Sequence, residues 1–280
     1  MKKWITVIKL SGVLVVALML ALMVFSVAAC QPGNQGYNSN PEAIALNEQG
    51  IKFYDEGSFS KAVMYFDRAL EKDPSNPAVY FNKGQALDAM NKYDQAITCY
   101  DQAIQLDSNF ADAWNYRGIS YFKMNQSDKA LESVDKAIAI NGNNAGYWEN
   151  KGAIYRAQEK LKEAVPCFAK AASLDPGNAD LWDSLTYAQM KSQLYEDVLR
   201  STDKSISLIS TNAFPWGYKA KALHELRRYE EAIVAFDRAL ALDPNNPALW
   251  YSKGLTLETL KRTTEAKKCY DKARALGYQF

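Results

Sequence analysis

The chain has 280 residues, of which 48% are apolar and 23% are charged, and its formal net charge is +1. Three of its 33 basic residues lie before residue 30, which leaves 30 basic residues against 32 acidic ones in the rest of the chain. This near-neutral balance argues against nucleic acid as the main partner, because phosphate binding requires a surplus of lysine and arginine. The apolar content is sufficient for an extended core.

The amino end has the composition of a targeting segment. A basic start at Lys2 and Lys3 is followed by an uncharged run over residues 10–29, and small residues precede Cys30. This order resembles a bacterial-type lipoprotein signal, which implies that residues 1–29 are removed and that Cys30 carries the lipid. The alternative is an uncleaved anchor, because an uncharged run of about 20 residues matches the thickness of a bilayer. In both cases the rest of the chain is expected on the extracytoplasmic side of the membrane.

A short segment without periodicity follows the targeting segment. Residues 30–42 are rich in Gly, Pro, Asn and Ser, a composition that predicts a flexible tether. When fully extended, such a tether spans up to about 40 Å.

The remainder of the chain, 43–280, repeats the same residue types every 34 positions, without insertion or deletion. Position 4 of each repeat is large and mostly tryptophan, position 8 is small in all but one repeat, and positions 20 and 27 are mostly alanine. The seven repeats are 43–76, 77–110, 111–144, 145–178, 179–212, 213–246 and 247–280.

The spacing within each repeat predicts a helical hairpin. Positions 4, 8 and 11 lie on one helical face and positions 17, 20, 24 and 27 lie on a second, with polar turn residues between them. Small residues at 8 and 20 allow the two helices to come close, and aromatic side chains at 4 and 24 fill the space beside them. A single hairpin cannot bury both of its faces, so we expect the repeats to stack into an all-α solenoid.

This pattern resembles the tetratricopeptide repeat family, which has a period of 34 residues, a large-small-aromatic motif in its first helix and an alanine-aromatic-alanine motif in its second. The resemblance extends over 43–280. It implies a right-handed superhelix of helix-turn-helix repeats. Their first helices, here called A helices, would form a concave face that binds peptides or partner proteins, and their second helices are here called B helices.

Charged residues follow the same period. Position 25 is aspartate except for Ala169 in repeat 4, and position 7 is basic except for Gln49 in repeat 1 and Leu185 in repeat 5. Pairing position 25 of one repeat with position 7 of the next satisfies every junction, whereas pairing within a repeat does not. The alternative is that the basic heads only reach water over their buried stems. The predicted inter-repeat pairs are Asp67 with Lys83, Asp101 with Arg117, Asp135 with Lys151, Asp203 with Lys219, and Asp237 with Lys253.

Repeat 5 departs most from the pattern. It has Thr186 in place of glycine, Thr202 in place of an aromatic residue, and Gln189 and Val198 at two further pattern positions. We therefore expect its stacking to be the loosest, either as a flexible joint or through simple sequence drift.

Catalytic chemistry is not expected. Cys99, Cys167 and Cys269 share position 23 of their repeats, so stacking places them too far apart for a disulfide or a shared metal ion. His224 has no partner at ligand spacing, and the chain has no glycine-rich phosphate loop. The sequence thus predicts neither an enzyme nor a bound cofactor.

Residues that face a ligand in the tetratricopeptide family lie at positions 2, 5, 6, 9, 12 and 13 of the A helices. On this chain those positions combine aromatic side chains with amides, which suits an extended peptide, and we expect about half of the aromatic side chains to be exposed. The carboxylate clamp of the chaperone-binding members is matched only at Asn82 and Asn150, so a C-terminal acidic tail of that type is not the expected ligand. The peptide-binding candidates are Phe81, Asn82, Gln85, Asn115, Tyr116, Phe122, Asn150, Arg156, Tyr187, Tyr218 and Tyr251.

Taken together, these features indicate a membrane-tethered adaptor that binds a peptide or protein segment in its concave groove. Its order of parts is like that of lipoproteins that help to assemble pili or outer-membrane proteins. The alternative function is a self-associating scaffold or spacer at the membrane surface. A homodimer would then form through the terminal repeat, where Tyr270 and Tyr278 are available to dock a second copy.

Overall fold

The computed structural model describes residues 40–280, so the predicted signal, Cys30 and most of the predicted tether lie outside the described residues. The described residues form a compact unit of fourteen α-helices without strands. No helix in this range is long and apolar enough to cross a bilayer. The helices are α1 (Pro41–Asp55), α2 (Phe59–Lys72), α3 (Pro77–Ala89), α4 (Tyr93–Leu106), α5 (Ala111–Lys123), α6 (Ser127–Ile140), α7 (Ala145–Ala157), α8 (Leu161–Leu174), α9 (Ala179–Lys191), α10 (Tyr195–Leu208), α11 (Ala213–Glu225), α12 (Tyr229–Leu242), α13 (Pro247–Thr259) and α14 (Thr263–Ala275).

The odd-numbered helices are the A helices and the even-numbered helices are the B helices of the seven predicted hairpins. Each B helix packs against the A helix of the next repeat, and neighbouring A helices make smaller contacts with each other, the smallest between α7 and α9. Within residues 40–280, neighbouring B helices make no comparable contact. The A helices therefore lie on the inside of the curve. The predicted fold, a right-handed superhelical solenoid of seven helix-turn-helix repeats, is confirmed.

Asparagine side chains begin most of the A helices. The side chain of Asn40 accepts a hydrogen bond from the backbone N–H of Glu42, and Pro41 follows at the first helical position, which satisfies one of the free N–H groups at the helix start. Helix α1 therefore includes Pro41 and Glu42, which the sequence analysis assigned to the tether. In repeat 3 Phe110 replaces the asparagine and provides no side-chain cap. The other capping residues are Asn76, Asn144, Asn178, Asn212 and Asn246.

Within each hairpin, position 8 of the A helix faces position 24 of the B helix. A Cβ atom at Gly84 would lie 2.5 Å from Cε1 of Tyr100, and one at Gly254 would lie 2.5 Å from Cε1 of Tyr270. Glycine is required at these positions because a Cβ atom would overlap the ring. The close approach that the small residue at position 8 predicted is thus present in the structure.

The predicted charge ladder is confirmed at all five junctions that have both charges. Each basic side chain also lies over the tryptophan at position 4 of its own repeat where one is present, as Arg117 does at 4.3 Å from the ring centroid of Trp114. The basic groups are mostly covered and their carboxylate partners are about half exposed. The nitrogen-to-oxygen distances are 2.6 Å for Lys83–Asp67, 2.7 Å for Arg117–Asp101, 2.7 Å for Lys151–Asp135, 2.5 Å for Lys219–Asp203 and 2.5 Å for Lys253–Asp237.

The expectation that repeat 5 stacks most loosely is wrong. Its helices pack on the neighbouring repeats at least as closely as those of the other repeats, and α9 and α11 make the most extensive contact between neighbouring A helices. Two contacts of repeat 5 are smaller than elsewhere: that between α9 and α7, and that between α9 and α10 within the hairpin. On the outer side α9 packs closely on α8, where Leu185 lies in an apolar cluster with Phe168 and Ala169. Inside the hairpin Thr186 and Thr202 are both fully buried.

Candidate functional site

The predicted groove residues all lie on A helices, but they are more covered than expected. None of the eleven candidates is exposed: Phe81, Asn115 and Asn150 are buried, and the others are half-buried. The expectation that about half of the aromatic side chains are exposed is therefore wrong. Neighbouring A helices are close enough for rings from one repeat to pack against rings from the next, which covers them.

Aromatic packing is densest in repeats 2 and 3. The ring of Phe81 contacts Phe110 at 5.0 Å, Tyr116 at 5.2 Å and Tyr100 at 5.9 Å between centroids. Phe81 is only 4% exposed as a result. Gln85 shares a hydrogen bond with the hydroxyl of Tyr116, so this candidate is also engaged within the solenoid.

A buried carboxylate lies beside this aromatic cluster. Asp88 is 7% exposed and accepts hydrogen bonds from the hydroxyls of Tyr100 and Ser120, each at 2.9 Å. Burial raises the pKa of Asp88, and Lys123 and the two hydroxyls act in the opposite direction. Because Asp88 belongs to α3 and Ser120 to α5, this network joins two repeats through the concave side.

Amide pairs connect neighbouring A helices in the same region. Asn82 donates to Oδ1 of Asn47 at 3.1 Å, and Asn150 donates to Oδ1 of Asn115 at 2.9 Å. Each pair joins position 6 of one repeat to position 5 of the preceding repeat. These donor groups are therefore used to hold the A helices together.

The contact between neighbouring A helices is smallest in the middle of the groove, between repeats 4 and 5. Glu149 and Arg156 of α7 and Tyr187 of α9 lie there and are half-buried. Burial raises the pKa of Glu149 and lowers that of Arg156, and each of the two residues shifts the other's pKa back toward its ordinary value. The Cζ atom of Arg156 lies 5.5 Å from the ring centroid of Phe168. In repeat 3, the ring of Phe122 packs on the apolar cluster formed by α6 and α7.

Helices α9 and α11 of repeats 5 and 6 bring aromatic rings and cations together in a surface that we call the lysine–tyrosine pocket. Lys191 is exposed and the other members are half-buried. Its members are Tyr187, Lys191, Phe214, Tyr218 and Lys221. The Tyr187 and Tyr218 rings lie 6.4 Å apart, and Phe214 packs on Tyr218 at 4.5 Å. Nζ of Lys191 lies 6.0 Å from the Tyr187 ring centroid, and Nζ of Lys221 lies 5.4 Å from that of Tyr218. Burial raises the pKa of Tyr218 to about 12.

The carboxyl end of the chain covers the last groove candidate. The ring of Tyr251 is stacked on Tyr278 at 4.8 Å and contacts Phe280 at 4.7 Å and Tyr270 at 5.7 Å. Phe280 and Phe110 share position 34 of their repeats, and each packs on the aromatic residue at position 5. Phe280 nevertheless remains 55% exposed, whereas Phe110 is 9% exposed, because helix α5 covers Phe110 and no described helix covers Phe280.

Sequence reasoning missed Asp88, Lys191 and Lys221 as groove residues. Each lies at one of the ligand-facing positions, but charge at those positions does not follow the period and so gave no repeating signal. Phe110 and Phe280 offered a signal, since both replace the asparagine that ends the other repeats.

The described residues present no metal-binding cluster of three or more His, Cys, Asp or Glu side chains. The three cysteines that the sequence predicted to be unpaired are free and buried, and burial raises the pKa of each thiol. The candidate site is a groove lined by rings, amides and a few charges.

Helical hairpins of this size that stack through their A and B helices define an α-helical solenoid repeat protein. Family models described as "Tetratricopeptide repeat" match residues 65–98, 111–144 and 145–178. A further model described as "TPR repeat" matches residues 84–125 and 220–261. The chain therefore contains tetratricopeptide repeats, as its sequence pattern predicted.

Comparison with solved structures supports the same fold. Pseudomonas aeruginosa pilF has a TM-score of 0.60 and 18% identity, over 81% of this chain and 96% of its own. A tetratricopeptide repeat protein from Parabacteroides merdae has a TM-score of 0.57 and 17% identity, over 86% of this chain and 95% of its own. MamA from Desulfovibrio magneticus RS-1 has a TM-score of 0.54 and 21% identity, over 60% and 96%. At these identities the likeness concerns the fold alone.

One curated relative matches a short part of the chain. RNA polymerase II-associated protein 3 from Gallus gallus is 33% identical over 52 residues, which are 19% of this chain. The match spans 8% of the length of that protein, so it adds nothing on function beyond the presence of similar repeats.

Proposed function

We propose that this protein is an adaptor, tethered to a membrane by its amino end, which binds an extended segment of a partner protein along the concave face of its A helices. The observation that carries this proposal is the line of half-buried rings, amides and unpaired cations that the A helices present on the inside of the curve. An extended segment suits such a face, because rings provide contact area and polar groups hold its backbone.

The groove side chains of repeats 4 to 6 are less engaged with one another than those of repeats 2 and 3. Arg156, Tyr187 and Tyr218 are half-buried, and Lys191 and Lys221 form no ion pair with a described carboxylate. In repeats 2 and 3, by contrast, the candidates Phe81, Asn115 and Gln85 are already engaged with neighbouring side chains. We therefore place the partner segment mainly on repeats 4 to 6.

A self-associating scaffold is the competing function, and two features of the terminal repeats disfavour end-to-end stacking. Tyr278 and Phe280 cover Tyr251 at the carboxyl end. A following copy would also place Gln49 at the ladder position opposite Asp271, so no ion pair would continue the ladder. Both features favour the adaptor over the scaffold.

Site-specific photo-crosslinking tests where the partner binds. The full chain is produced in its membrane with p-benzoylphenylalanine either at Tyr187 in the groove or at Val234, which is 62% exposed on helix α12. We expect a protein adduct only from the Tyr187 position, identified by mass spectrometry. Adducts only from Val234 would place binding on the outer face and contradict the groove, and self-adducts of this chain would support the scaffold.

Lipid labelling tests the tether separately. We expect the wild-type chain to incorporate labelled palmitate and the Cys30→Ser variant to incorporate none. A wild-type chain that stays in the membrane fraction without label would show that the uncleaved helix is the anchor. The groove experiment does not depend on this result.

A further inference from the structure

Two lysines in the groove have no acidic partner within the described chain. Lys191 ends helix α9 and Lys221 lies in helix α11, and neither forms an ion pair with a carboxylate of residues 40–280. Lys219, two residues before Lys221 on the same helix, has its Nζ 2.5 Å from Asp203. Lys219, which faces the neighbouring B helix, is therefore ion-paired, whereas Lys221, which faces the groove, is not.

The unpaired charge is partly removed from water. Burial lowers the pKa of Lys221, and the nearby Lys191 lowers it further, without a compensating carboxylate. A half-buried cation beside a second cation is unfavourable, because it loses hydration and experiences like-charge repulsion. An anion between the two lysines would relieve both costs.

The rings beside these lysines provide a surface for the rest of a ligand. Tyr187, Phe214 and Tyr218 pack against one another with centroids 4.5 to 6.4 Å apart. Such a preformed ring surface binds a peptide with little loss of side-chain freedom. The pocket therefore combines one anion-binding element with an adjacent apolar wall.

We propose that the lysine–tyrosine pocket binds an acidic stretch inside the partner segment, with an Asp or Glu carboxylate between Lys191 and Lys221 and the neighbouring residues against the tyrosine rings. This inference rests on the proposed function and names the chemistry of the partner. The charge complementarity between two unpaired lysines and a carboxylate carries it.

An internal stretch fits the pocket better than a chain end. The solenoid continues on both sides of the pocket, from α9 toward α7 and from α11 toward α13, so a segment can extend in both directions. The basic residues of the clamp that holds a terminal carboxylate in the chaperone-binding members of the family lie at positions 2, 5 and 6, whereas Lys191 and Lys221 lie at positions 13 and 9.

Peptide selection followed by affinity measurement tests this inference. A display library of random 12-residue peptides, with constant polar segments at both ends, is selected against the full chain in detergent. Selected peptides are then synthesised with blocked ends, together with versions in which Asn and Gln replace Asp and Glu. Affinity is measured by fluorescence anisotropy at low and high salt.

The matched variants are Lys191→Gln with Lys221→Gln, and Lys267→Gln with Lys268→Gln. The second pair lies exposed on helix α14, so both variants lose the same net charge. We expect acidic peptides to be selected, and the groove variant to bind them about tenfold or more weakly, because charge-assisted hydrogen bonds are lost. The α14 variant is expected to bind like the wild type.

Three results would overturn the inference. The first result is that peptides crosslink to the Tyr187 position but show no acidic preference, or bind the groove variant as tightly as the wild type. This result refutes the acidic stretch and leaves the proposed function in place. Peptides that bind only with a free carboxyl end refute the internal stretch. If no peptide binds and the Tyr187 position yields no adduct, the proposed function fails together with this inference.

Discussion

Ala169 and Leu185 lie in one apolar cluster at the junction of repeats 4 and 5, where the other five junctions join an aspartate to a basic residue. One pair of positions in this solenoid therefore accepts either an ion pair or an apolar contact. The shared property is that the two residues complement each other across the junction. Their role is to set how one repeat stacks on the next.

The first prediction concerns placing the same apolar pair of residues at another junction. Asp237→Ala with Lys253→Leu should leave the free energy of unfolding within about 1 kcal/mol of the wild type, because a partly exposed ion pair contributes little net stability. Lys253→Leu alone leaves Asp237 without its partner and should be the less stable variant. Urea unfolding at low and high salt measures both.

The salt dependence distinguishes the two explanations of the ladder. If the pair acts through charge, raising the salt concentration should weaken the wild-type junction and leave the apolar double variant unchanged. A loss of several kcal/mol in the double variant would show that the ion pair itself is required for stacking.

The second prediction concerns two buried threonines in repeat 5. Thr186 Oγ1 is buried and has no hydrogen-bond partner among the described residues, whereas Thr202 Oγ1 donates to the carbonyl of Val198 at 2.8 Å. Thr186→Val should raise the free energy of unfolding by about 1 kcal/mol, because an unpaired buried hydroxyl is removed at nearly constant shape. Thr202→Val is the matched control and should give no gain. Equal gains from both variants would contradict this account.

The third prediction concerns the pH dependence of stability. The buried Asp88 has a pKa above its ordinary value of 3.8, mainly because burial disfavours its charged form. The folded chain therefore holds this proton more firmly than the unfolded chain. The resulting stability is present at acid pH and is lost as the pH rises from about 3.8 through the pKa of the folded state.

Asp88→Asn should remove this contribution. The variant is expected to have about the stability of the wild type near pH 3, where Asp88 is also neutral, and to be the more stable of the two toward pH 7, as measured by urea midpoints. Glu132→Gln on the exposed face of α6 is the control and should follow the wild type. A difference in urea midpoint between wild type and Asp88→Asn that stays constant across this pH range would contradict this explanation.

The period explains which parts of this structure were predictable. Gly84 opposite Tyr100 and Lys219 opposite Asp203 recur at fixed positions, so seven copies of the sequence reveal which residues must meet. The contacts of Asp88 recur only in part, with other residues: Tyr270 donates to Glu258 in repeat 7, and His224 contacts Thr256 between repeats 6 and 7. Position 12, which Asp88 occupies in repeat 2, carries Tyr54 in repeat 1 and Phe122 in repeat 3. The repeat pattern therefore does not predict which residues Asp88 contacts.

Exposure within the groove was unpredictable for a related reason. The positions that face the inside of the curve are known from the pattern, but the distance between neighbouring A helices is not. Phe81 is covered because Tyr116 of the neighbouring A helix packs on it, whereas the contact between α7 and α9 is smaller. That distance depends on packing across the junction as a whole.

The last prediction compares two phenylalanines at the same position of different repeats. Phe110 and Phe280 each pack on the aromatic residue at position 5, at 5.0 Å from Phe81 and 4.7 Å from Tyr251. Phe110→Ala should cost about 3 to 5 kcal/mol, because it opens a cavity between two repeats. Phe280→Ala should lower the free energy of unfolding by about 1 kcal/mol, because the Phe280 ring is half exposed and its removal loses only an aromatic contact.

Urea unfolding gives the two free energies, and amide exchange shows where each change acts. Exchange should increase in α13 and α14 for Phe280→Ala, and across repeats 2 and 3 for Phe110→Ala. The same comparison tests the homodimer through the terminal repeat. If a second copy covered Phe280 in solution, its replacement would cost about as much as that of Phe110, and the cost would rise with protein concentration.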